Sequence, residues 1–528
     1  MGKGGKNMKR TICYCMGKKR VEREIVNIPV RYVLAVLISV VEILCVIGGV
    51  VALCYYVPYC YAGALVMQAV CVLRIFRSDD NPDYKLPWLF FVIVLPIVGF
   101  MLYLMFYSRK LKKRYVRRLD AMWRRGYERD DSALFGQLAG ESPLIASHAK
   151  MLTQLSHSHL FTNTKQTYFS SGEKMQESML SDLKGAEKFI FLEYFIIEKG
   201  EFWKSLLDVL EQKAANGVTV RVVYDDIGCM TTLPGNYAKE LFKKGIEATP
   251  FSFLRGGADS EFNNRSHRKL MIIDGKIGYT GGVNIADEYI NQKQRFGHWK
   301  DSGLRLEGEA VWEMTRLFLV DYGINTRKEP APVSDAFPRM PQICEDGYLI
   351  PFGDGPRPIY ARRVAKSVIE NMLDCAVRYA YITTPYLILD NDLMASIENA
   401  ALRGVDVRIA LPHIPDKKLV FLMTRSSYKR LLDAGVTIYE YEPGFLHAKS
   451  YLVDDTLGMI GTINLDYRSL VHHFENGVWM YRCASLGALK ADMQDIFQKS
   501  IRVEKEMLHM GPVKRFVLSI AKIFAPMM

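Results

Sequence analysis

The feature that most constrains this chain is a motif that occurs twice, with a constant separation of 180 residues. Each copy contains a histidine, a lysine two positions later, an aspartate seven positions after the histidine, and then a glycine-containing turn that ends in asparagine. The first copy consists of His267, Lys269, Asp274 and Asn284, and the second of His447, Lys449, Asp454 and Asn464. One such match arises by chance in a long chain, whereas two matches at a fixed spacing indicate an internal repeat.

The sequence that precedes each motif also repeats. Apolar strand-like runs and helical stretches occur in the same order before both copies, 180 to 190 residues apart. The strand-like runs are Ala186–Phe195, Gly217–Tyr224, Ala376–Pro385 and Gly404–Leu411, and the helical stretches are Trp203–Ala215 and Asp392–Leu402. Strands that alternate with helices are typical of α/β proteins. We therefore predict an α/β fold of two tandem βαβ-rich repeats with mixed or parallel sheets.

Within each motif, the spacing separates the histidine and the lysine from the aspartate. The apolar residues between Lys269 and Asp274 are typical of a strand, in which positions two apart share a face. His267 and Lys269 are therefore predicted to point to one side, and Asp274 to the other. Although Asp274 and Asp454 belong to the catalytic motif, we expect them to have a structural or supporting role.

Two imidazoles, two ammonium groups and two amides suit phosphodiester chemistry. One neutral histidine attacks phosphorus and forms a phosphohistidine, while the other protonates the leaving alkoxide and then deprotonates the incoming alcohol. The lysines, together with Asn284 and Asn464, are expected to bind the charged phosphate oxygens. This chemistry requires no metal and no other cofactor. The symmetric pattern leaves open which histidine is the nucleophile.

Each histidine also requires a carboxylate that orients its ring. The candidates are Asp301, which follows His267 by 34 residues, and Glu475, which follows His447 by 28 residues. The adjacent His472 and His473 are instead interpreted as surface or core residues, because no further ligand residue accompanies them in the sequence.

The positive charge of the chain is concentrated near its N-terminus. The formal net charge is +12; residues 1–31 carry +7 and residues 108–125 carry +8, so the rest of the chain sums to −3. The stretch Pro87–Tyr107 contains no charged residue, and Tyr32–Leu73 contains only Glu42. A membrane-spanning helix needs about 20 apolar residues. We therefore predict one span over 87–107 and one or two over 32–73.

The basic patches predict the orientation of these segments, because Lys and Arg favour the cytoplasmic side. Seven of the ten residues in Arg109–Arg118 are basic and follow the clearest apolar segment, so the remainder of the chain is expected to face the cytoplasm. Three full spans would place the two patches on opposite sides. One segment is therefore expected to be re-entrant, or one patch to be an exception. A break is expected at Tyr55–Tyr61, which contains Pro58 and four tyrosines.

Hydrophobic residues make up 49% of the chain and charged residues 24%, which excludes intrinsic disorder. The segment Val513–Phe524 is short, amphipathic and basic, and is expected either to lie on a membrane surface or to pack on the preceding domain. The predicted regions are a basic cytoplasmic tail (1–31), a membrane region of two to three segments (32–107), a basic juxtamembrane linker (108–165), the first repeat (166–335), the second repeat (336–505) and an amphipathic C-terminal tail (506–528).

The duplicated motif resembles that of the phospholipase D superfamily, and the surrounding sequence resembles bacterial cardiolipin synthases more closely. The resemblance covers nearly all of residues 77–510, and it is strongest in Leu192–Ile197, Asn264–Tyr289, Gly297–Gly308, Thr383–Asp390, Gly404–Val420 and Gly444–Leu470. It implies a multi-pass protein of the bacterial cell membrane that transfers a phosphatidyl group from one phosphatidylglycerol to another, giving cardiolipin and glycerol. It also implies that His267 is the nucleophile and His447 the acid and base.

Several alternatives remain open at this point. The same residues would serve a phospholipase D that uses water, or a phosphatidyltransferase that uses another alcohol. A nuclease is disfavoured, because the positive charge lies near the apolar segments and not around the motifs. A non-enzymatic scaffold would tolerate loss of a motif residue, and none is lost. The expected partners are phosphatidylglycerol and anionic membrane lipid, with no nucleic acid and no protein partner required for the chemistry.

Overall fold

A computed structural model describes residues 10–523, apart from 17–18, 26–29, 57, 79–80, 105–128, 252–263, 327–337, 344, 358, 361 and 510. The first described elements are an antiparallel pair of strands, β1 (Arg10–Met16) and β2 (Lys19–Ile25). The next four helices are α1 (Val30–Tyr56), α2 (Pro58–Arg77), α3 (Pro82–Val94) and α4 (Pro96–Leu102). The predicted break near Pro58 includes Val57, which lies outside the described residues, so the break stays a prediction.

Helices α3 and α4 form a tight hairpin inside the segment predicted as one span, Pro87–Tyr107. The backbone leaves helical geometry at Leu95, and Pro96 begins α4 without an N–H that could continue the hydrogen-bond ladder. The ring centroids of Trp88 and Tyr103 lie 6.2 Å apart, whereas a straight helix would separate these residues by about 22 Å along its axis. The described part of the segment therefore folds back and is not the single helix that its composition predicts. Among the residues that the structure describes, no helix is both long and apolar enough to cross a membrane.

The first repeat forms a seven-stranded mixed sheet. Its strands are β3 (Thr164–Phe169), β4 (Phe189–Tyr194), β5 (Thr219–Asp225), β6 (Glu247–Phe251), β7 (Lys269–Ile273), β8 (Ile277–Gly281) and β10 (Gly303–Gly308), while β9 (His298–Lys300) lies outside the sheet. The spatial order is β3-β10-β8-β7-β4-β5-β6. Strands β4, β5 and β6 are parallel, and the other neighbours are antiparallel.

The second repeat forms an eight-stranded sheet with the same plan. Its strands are β11 (Tyr348–Asp354), β12 (Tyr379–Thr383), β13 (Asp406–Pro412), β14 (Thr437–Tyr441), β16 (Ser450–Val453), β17 (Leu457–Gly461), β18 (Glu475–Tyr481) and β19 (Ser500–Arg502), while β15 (Gly444–Leu446) lies outside it. The order β11-β18-β17-β16-β12-β13-β14-β19 matches the first sheet strand for strand, with β19 added at one edge. The predicted duplication and the mixed sheets are confirmed.

The helices of the two repeats lie between these strands in the sequence. They are Gly172–Lys184, Glu201–Ala215, Tyr237–Phe242, Val311–Thr326, Val364–Cys375, Asn391–Leu402, Lys418–Asp433 and Ser485–Gln498. Short helical turns occur at Asp287–Ile290, Arg468–His472 and Lys505–Leu508, and a last helix spans Pro512–Ile523. Two of the predicted helical stretches fall inside Glu201–Ala215 and Asn391–Leu402.

The predicted linker 108–165 contains folded structure where it is described. Two helices, Ser132–Glu141 and Pro143–Ser156, bury Leu138 and Leu152 against the apolar core of the second repeat. Apolar residues at helical spacing give these helices one apolar face. Burial of that face stabilises folded structure in a segment predicted as a linker. The predicted start of the first repeat, residue 166, falls inside β3, which begins at Thr164.

One apolar core joins the inner faces of the two sheets. Phe191 and Leu270 of the first sheet are fully buried in the same cluster as Leu452 and Met480 of the second. Burial of such a side chain contributes about 1.5–3 kcal/mol relative to exposure. The two repeats are therefore packed as halves of one body, and the edges from which the motif histidines project are fixed relative to each other.

The N-terminal helices are attached to the second repeat close to this junction. The side-chain nitrogen of Asn81 donates to Asp392 at 3.0 Å, and the carboxylate of Asp83 accepts from the backbone N–H of Asn391 at 2.7 Å. The ring of Tyr84 lies 5.9 Å from that of His472. Helix α3 therefore begins beside the segment that leads into β18.

Candidate active site

The two motif histidines stand immediately before their strands, and each is followed by a buried lysine. His267 and His447 are each 7% exposed, and Lys269 and Lys449 are fully buried. The ammonium group of Lys269 donates to the carbonyl oxygen of His267 at 2.7 Å, and Lys449 donates in the same way to His447. The lysine of each motif is thus held beside its own histidine, as the spacing predicts.

Each histidine contacts the carboxylate of the other repeat. Nδ1 of His267 lies 2.9 Å from Oε2 of Glu475, which is 208 residues away, and Nδ1 of His447 lies 2.7 Å from Oδ2 of Asp301. The order along the chain places each carboxylate after the histidine of its own repeat, so sequence proximity predicts the opposite pairing. The tertiary structure exchanges the two carboxylates between the halves.

The exchange follows from backbone pairing between the repeats. The N–H of His267 donates to the carbonyl oxygen of Phe474 at 2.8 Å, which places the following residue, Glu475, beside the imidazole. The N–H of His447 donates to the carbonyl oxygen of Lys300 at 2.7 Å, and this places Asp301 beside the second imidazole. These reciprocal contacts are those of a pseudo-twofold arrangement.

The two carboxylates are held in different ways. Glu475 is fully buried, accepts from the hydroxyl of Ser469 at 2.7 Å and is also bonded by the hydroxyl of Thr462. Asp301 lies directly against Gly282, where a Cβ would be 1.9 Å from Oδ1 of the carboxylate. Gly282 and Thr462 occupy the same place in the two motifs. Asp301 needs a glycine there because a Cβ would clash with its carboxylate, whereas Glu475 accepts a hydrogen bond from the hydroxyl of Thr462.

Burial keeps the imidazoles of the two motif histidines uncharged. It lowers the pKa of His267 to about 3, where Glu475 opposes the shift and Lys269 adds to it. It also lowers the pKa of His447 to about 4, to which Lys449 contributes. The pKa of Glu475 is held well below its usual range, because the neighbouring imidazoles outweigh the effect of its burial. A neutral imidazole is the form that can attack phosphorus.

The two buried ammonium groups also influence each other. Burial lowers the pKa of Lys269 to about 7, assisted by the charge of Lys449, and burial lowers the pKa of Lys449 to about 8. A phosphodiester anion placed between the two lysines would favour the charged form of both. The site is therefore arranged to accept negative charge.

The motif aspartates lie away from the histidines. Asp274 accepts backbone hydrogen bonds of 2.8 Å from Glu187, Lys188 and Phe189, and its own backbone has a positive φ of 54°. Asp454 makes the equivalent bonds at the start of β12. The five-residue strand β7 separates Asp274 from the site by about 17 Å. In both repeats the aspartate ties a turn to the first residues of a neighbouring strand.

Replacement of Asp274 by asparagine is expected to affect folding more than chemistry. Asparagine tolerates the positive φ but removes the charge and one of the two acceptor oxygens, and hydrogen bonds to charged groups contribute about 1.5–3 kcal/mol. We expect the free energy of unfolding to fall by about 2–3 kcal/mol, measured by denaturant titration, and the turnover per folded molecule to stay nearly constant. Lost turnover in a variant of unchanged stability would contradict the structural role.

The two asparagines are both buried but differ in their contacts. Asn284 accepts from the N–H of Ile196 at 3.1 Å and donates to the hydroxyl of Tyr289 at 2.7 Å, and the ring of Tyr289 lies 5.4 Å from that of His447. The side-chain oxygen of Asn464 is buried and has no hydrogen-bond partner among the described residues. Asn284 thus reaches the site through Tyr289.

His473, which the sequence indicated to be a surface or core residue, belongs to the site. His473 is 7% exposed, and its ring centroid lies 5.6 Å from that of His267. The signal in the sequence was its position two residues before Glu475, because extended residues two apart share a face. His267, His473 and Glu475 have potential ligand atoms within 4.8 Å of one another. We interpret them as a hydrogen-bonded pair, His267 and Glu475, with His473 packed against it, because Nδ1 of His267 already bonds Glu475 and the buried ammonium of Lys269 opposes a further cation.

Two half-sites of histidine, lysine and carboxylate, joined across a pseudo-twofold axis in one chain, define an enzyme of the phospholipase D class. A family model described as cardiolipin synthase, PLD-like domain, matches residues 179–297 and 369–500, and one described as phospholipase D-nuclease N-terminal matches 66–106. The chain belongs to the cardiolipin synthase family.

Individual relatives support this assignment. A cardiolipin synthase of Geobacillus kaustophilus is 34% identical over 86% of this chain and 91% of that protein. An uncharacterized protein of Streptococcus mutans serotype c is 40% identical over 87% of this chain and 99% of that protein. The crystal structure of a phosphatidylserine synthase from Haemophilus influenzae superposes with a TM-score of 0.55 at 16% identity, over 72% of this chain and 98% of that one, and shows the fold alone.

Proposed function

We propose that the protein is a phosphatidyltransferase that joins two phosphatidylglycerol molecules into cardiolipin and releases glycerol. The observation that carries the proposal is the pair of buried imidazoles, each bonded through Nδ1 to a carboxylate of the opposite repeat. This leaves Nε2 of one ring for attack on phosphorus and Nε2 of the other for proton transfer. One chain supplies both half-sites, so no partner chain is needed for the reaction.

The reaction proceeds in two displacements at phosphorus. Nε2 of His267 attacks the donor phosphodiester, the bond from phosphorus to the headgroup glycerol oxygen breaks, and His447 gives a proton to that oxygen. In the second step His447 takes the proton from a hydroxyl of the acceptor phosphatidylglycerol, whose oxygen attacks phosphorus as the bond to His267 breaks. His447 must be protonated for the first step, and the negative charge of the bound donor favours this state.

The two lysines and Asn464 are assigned to the phosphate oxygens, while Asn284 acts through Tyr289. Lys269 and Lys449 lie on the two sides of the site, and each can move its ammonium group from a backbone carbonyl to a phosphate oxygen. The side-chain amide of Asn464 supplies a further donor. Buried donors of this kind stabilise the charge that develops in the transition state more strongly than water does.

The decisive experiment uses purified protein in detergent with labelled phosphatidylglycerol as the sole lipid. Cardiolipin with equimolar glycerol is the expected product. Phosphatidic acid without cardiolipin would indicate that water is the acceptor, and the protein would then be a phospholipase D. Product formed only after addition of another alcohol, such as serine, would identify a different acceptor. No turnover under any of these conditions would favour a scaffold.

We further propose that the enzyme is held at a bacterial cell membrane with its catalytic region on the cytoplasmic side. Helices α1 to α3 carry many exposed apolar side chains, and two basic patches flank this region. The re-entrant shape of the α3–α4 hairpin is compatible with both patches on one side. A cysteine placed at the exposed Leu402 is expected to react with a membrane-impermeant maleimide only after cells are permeabilised. Labelling in intact cells would indicate the opposite orientation, with the catalytic region outside.

The helix Pro512–Ile523 is proposed to rest on the same membrane. Its apolar residues Val513, Phe516, Val517 and Ile520 are exposed, while Leu518 and Ala521 are buried against the second repeat. Residues 511–523 contain three basic residues and no acidic one, which suits the surface of an anionic bilayer.

Substitution of both Phe516 and Ile520 by serine is expected to lower kcat/KM on phosphatidylglycerol vesicles by about tenfold or more, because the apolar contact with lipid is lost. Activity on a short-chain phosphatidylglycerol below its micellar concentration is expected to stay unchanged. Phe242→Ser is the matched control, since Phe242 is equally exposed on the first repeat. Equal losses in the control, or on the monomeric substrate, would argue against membrane contact by this helix.

A further inference from the structure

A third imidazole lies against one of the two half-sites. His473 is buried, and its Nδ1 is 3.7 Å from Oε1 of Glu475, the carboxylate that bonds His267. Neither ring nitrogen of His473 has a hydrogen-bond partner among the described residues. The ring of Phe195 lies 5.1 Å from that of His267 and 6.3 Å from that of His473, so the three rings pack together.

The other half-site has a different residue in the same place. Trp299 precedes Asp301 by two residues, as His473 precedes Glu475. Its ring centroid lies 5.3 Å from that of His447, close to the 5.6 Å between His473 and His267. An indole fills this position without being able to take up a proton, whereas an imidazole can. The pseudo-symmetric site is therefore asymmetric in one ionisable ring.

Three carboxylates, those of Glu475, Asp225 and Asp466, interact electrostatically with His473. Asp225 is also paired with Arg265, whose Nε lies 2.9 Å from Oδ2 of the carboxylate. Apart from His473, the charged groups with the largest influence on the pKa of His267 among the described residues are Glu475 and Lys269. The surrounding carboxylates would thus stabilise a positive charge on His473. That charge would in turn disfavour protonation of His267.

We propose that His473 is a positioning residue that makes the two motif imidazoles unequal. It packs on the ring of His267, faces the carboxylate that orients this ring and disfavours a second positive charge there. His267 is thereby kept as the uncharged nucleophile, while His447, beside Trp299, remains free to take up and release the proton. The inference rests on the proposed function, since it divides the two roles of that reaction.

Burial is the main cause of the lowered pKa of His267, and the electrostatic influence of the neighbouring His473 adds to it. Removal of His473 should therefore raise that pKa and protonate the nucleophile at a higher pH. The test compares wild type, His473→Asn and His473→Phe by kcat/KM for cardiolipin formation across the pH range in which all remain folded. We expect the acid limb of the profile to move to higher pH by about half a unit or more in both variants. Trp299→Phe, which removes no ionisable group, is the matched control and should leave the limb in place.

A second readout does not depend on turnover. Carbethoxylation by diethyl pyrocarbonate modifies only the uncharged imidazole, so its pH dependence at His267, followed by mass spectrometry, reports the protonation of that ring. The pH of half-maximal modification is expected to rise in His473→Asn. Unchanged limbs and modification profiles, with only a uniform loss of activity or stability, would overturn the proposal. Failure of wild type to form cardiolipin would instead overturn the proposed function, and the modification profiles would still decide the role of His473.

Discussion

Substitution of His267 by alanine is expected to lower phosphatidyl transfer by about four orders of magnitude or more. The variant removes the atom that forms the bond to phosphorus, and nearby groups offer no replacement with the same orientation. The neighbouring His473 cannot substitute, because its nearest charged contact is the same carboxylate that orients His267. The measurement is the rate of cardiolipin formation from phosphatidylglycerol in detergent.

Trapping of the intermediate gives this prediction its control. Acid-labile, alkali-stable label from the phosphatidyl group should appear on wild type after a rapid quench and be absent from His267→Ala. His447→Ala should be comparably slow with phosphatidylglycerol, because the leaving glycerol oxygen then receives no proton. Label retained on His267→Ala would assign the nucleophile to another residue, with His447 as the first candidate.

The second prediction concerns the exchanged carboxylates. Glu475→Gln is expected to behave like a His267 variant and Asp301→Asn like a His447 variant, with losses of about a hundredfold to ten-thousandfold. Each carboxylate fixes the tautomer and the orientation of the ring that it contacts, and these contacts cross between the repeats. An amide in the same place donates where an acceptor is required.

A donor lipid with a good leaving group distinguishes variants of the pair His267 and Glu475 from variants of the pair His447 and Asp301. A phosphatidyl ester of p-nitrophenol needs no proton on the departing oxygen, so its release should be much less sensitive to loss of the general acid than transfer from phosphatidylglycerol. His447→Ala and Asp301→Asn are therefore expected to recover much of the rate of the first turnover, seen as a burst of nitrophenolate, because only the second step still needs His447 as a base. His267→Ala and Glu475→Gln are expected to remain slow. Recovery of Glu475→Gln together with His447→Ala would instead support pairing within each repeat.

The segment Pro87–Tyr107 shows what composition alone predicts and what it does not. The absence of charge from Pro87 to Tyr107 predicts an apolar environment, and side chains such as Phe90 and Ile93 are indeed exposed in a way that water disfavours. Composition does not predict the path of the backbone. The reversal at Leu95 depends on contacts between residues such as Trp88 and Tyr103, which become neighbours only after the chain has folded.

The duplication, the α/β class and the residues of the motif could all be predicted from the sequence. These depend on short-range periodicity and on spacing, because strands and helices impose repeats of two and 3.6 residues on the chain. The expectation that Asp274 points away from the histidine has the same origin, and the hydrogen bonds of Asp274 to the start of β4 agree with it.

Which groups meet across the site depends on long-range contacts that form when the two repeats pack together. Order along the chain suggested that Asp301 serves His267, yet backbone pairing between the repeats brings Glu475 to His267 and Asp301 to His447. The inclusion of His473 has the same cause, since it lies 206 positions from the ring that it contacts. Such contacts depend on how two sheets pack around a shared apolar core, and no periodicity within either repeat encodes that arrangement.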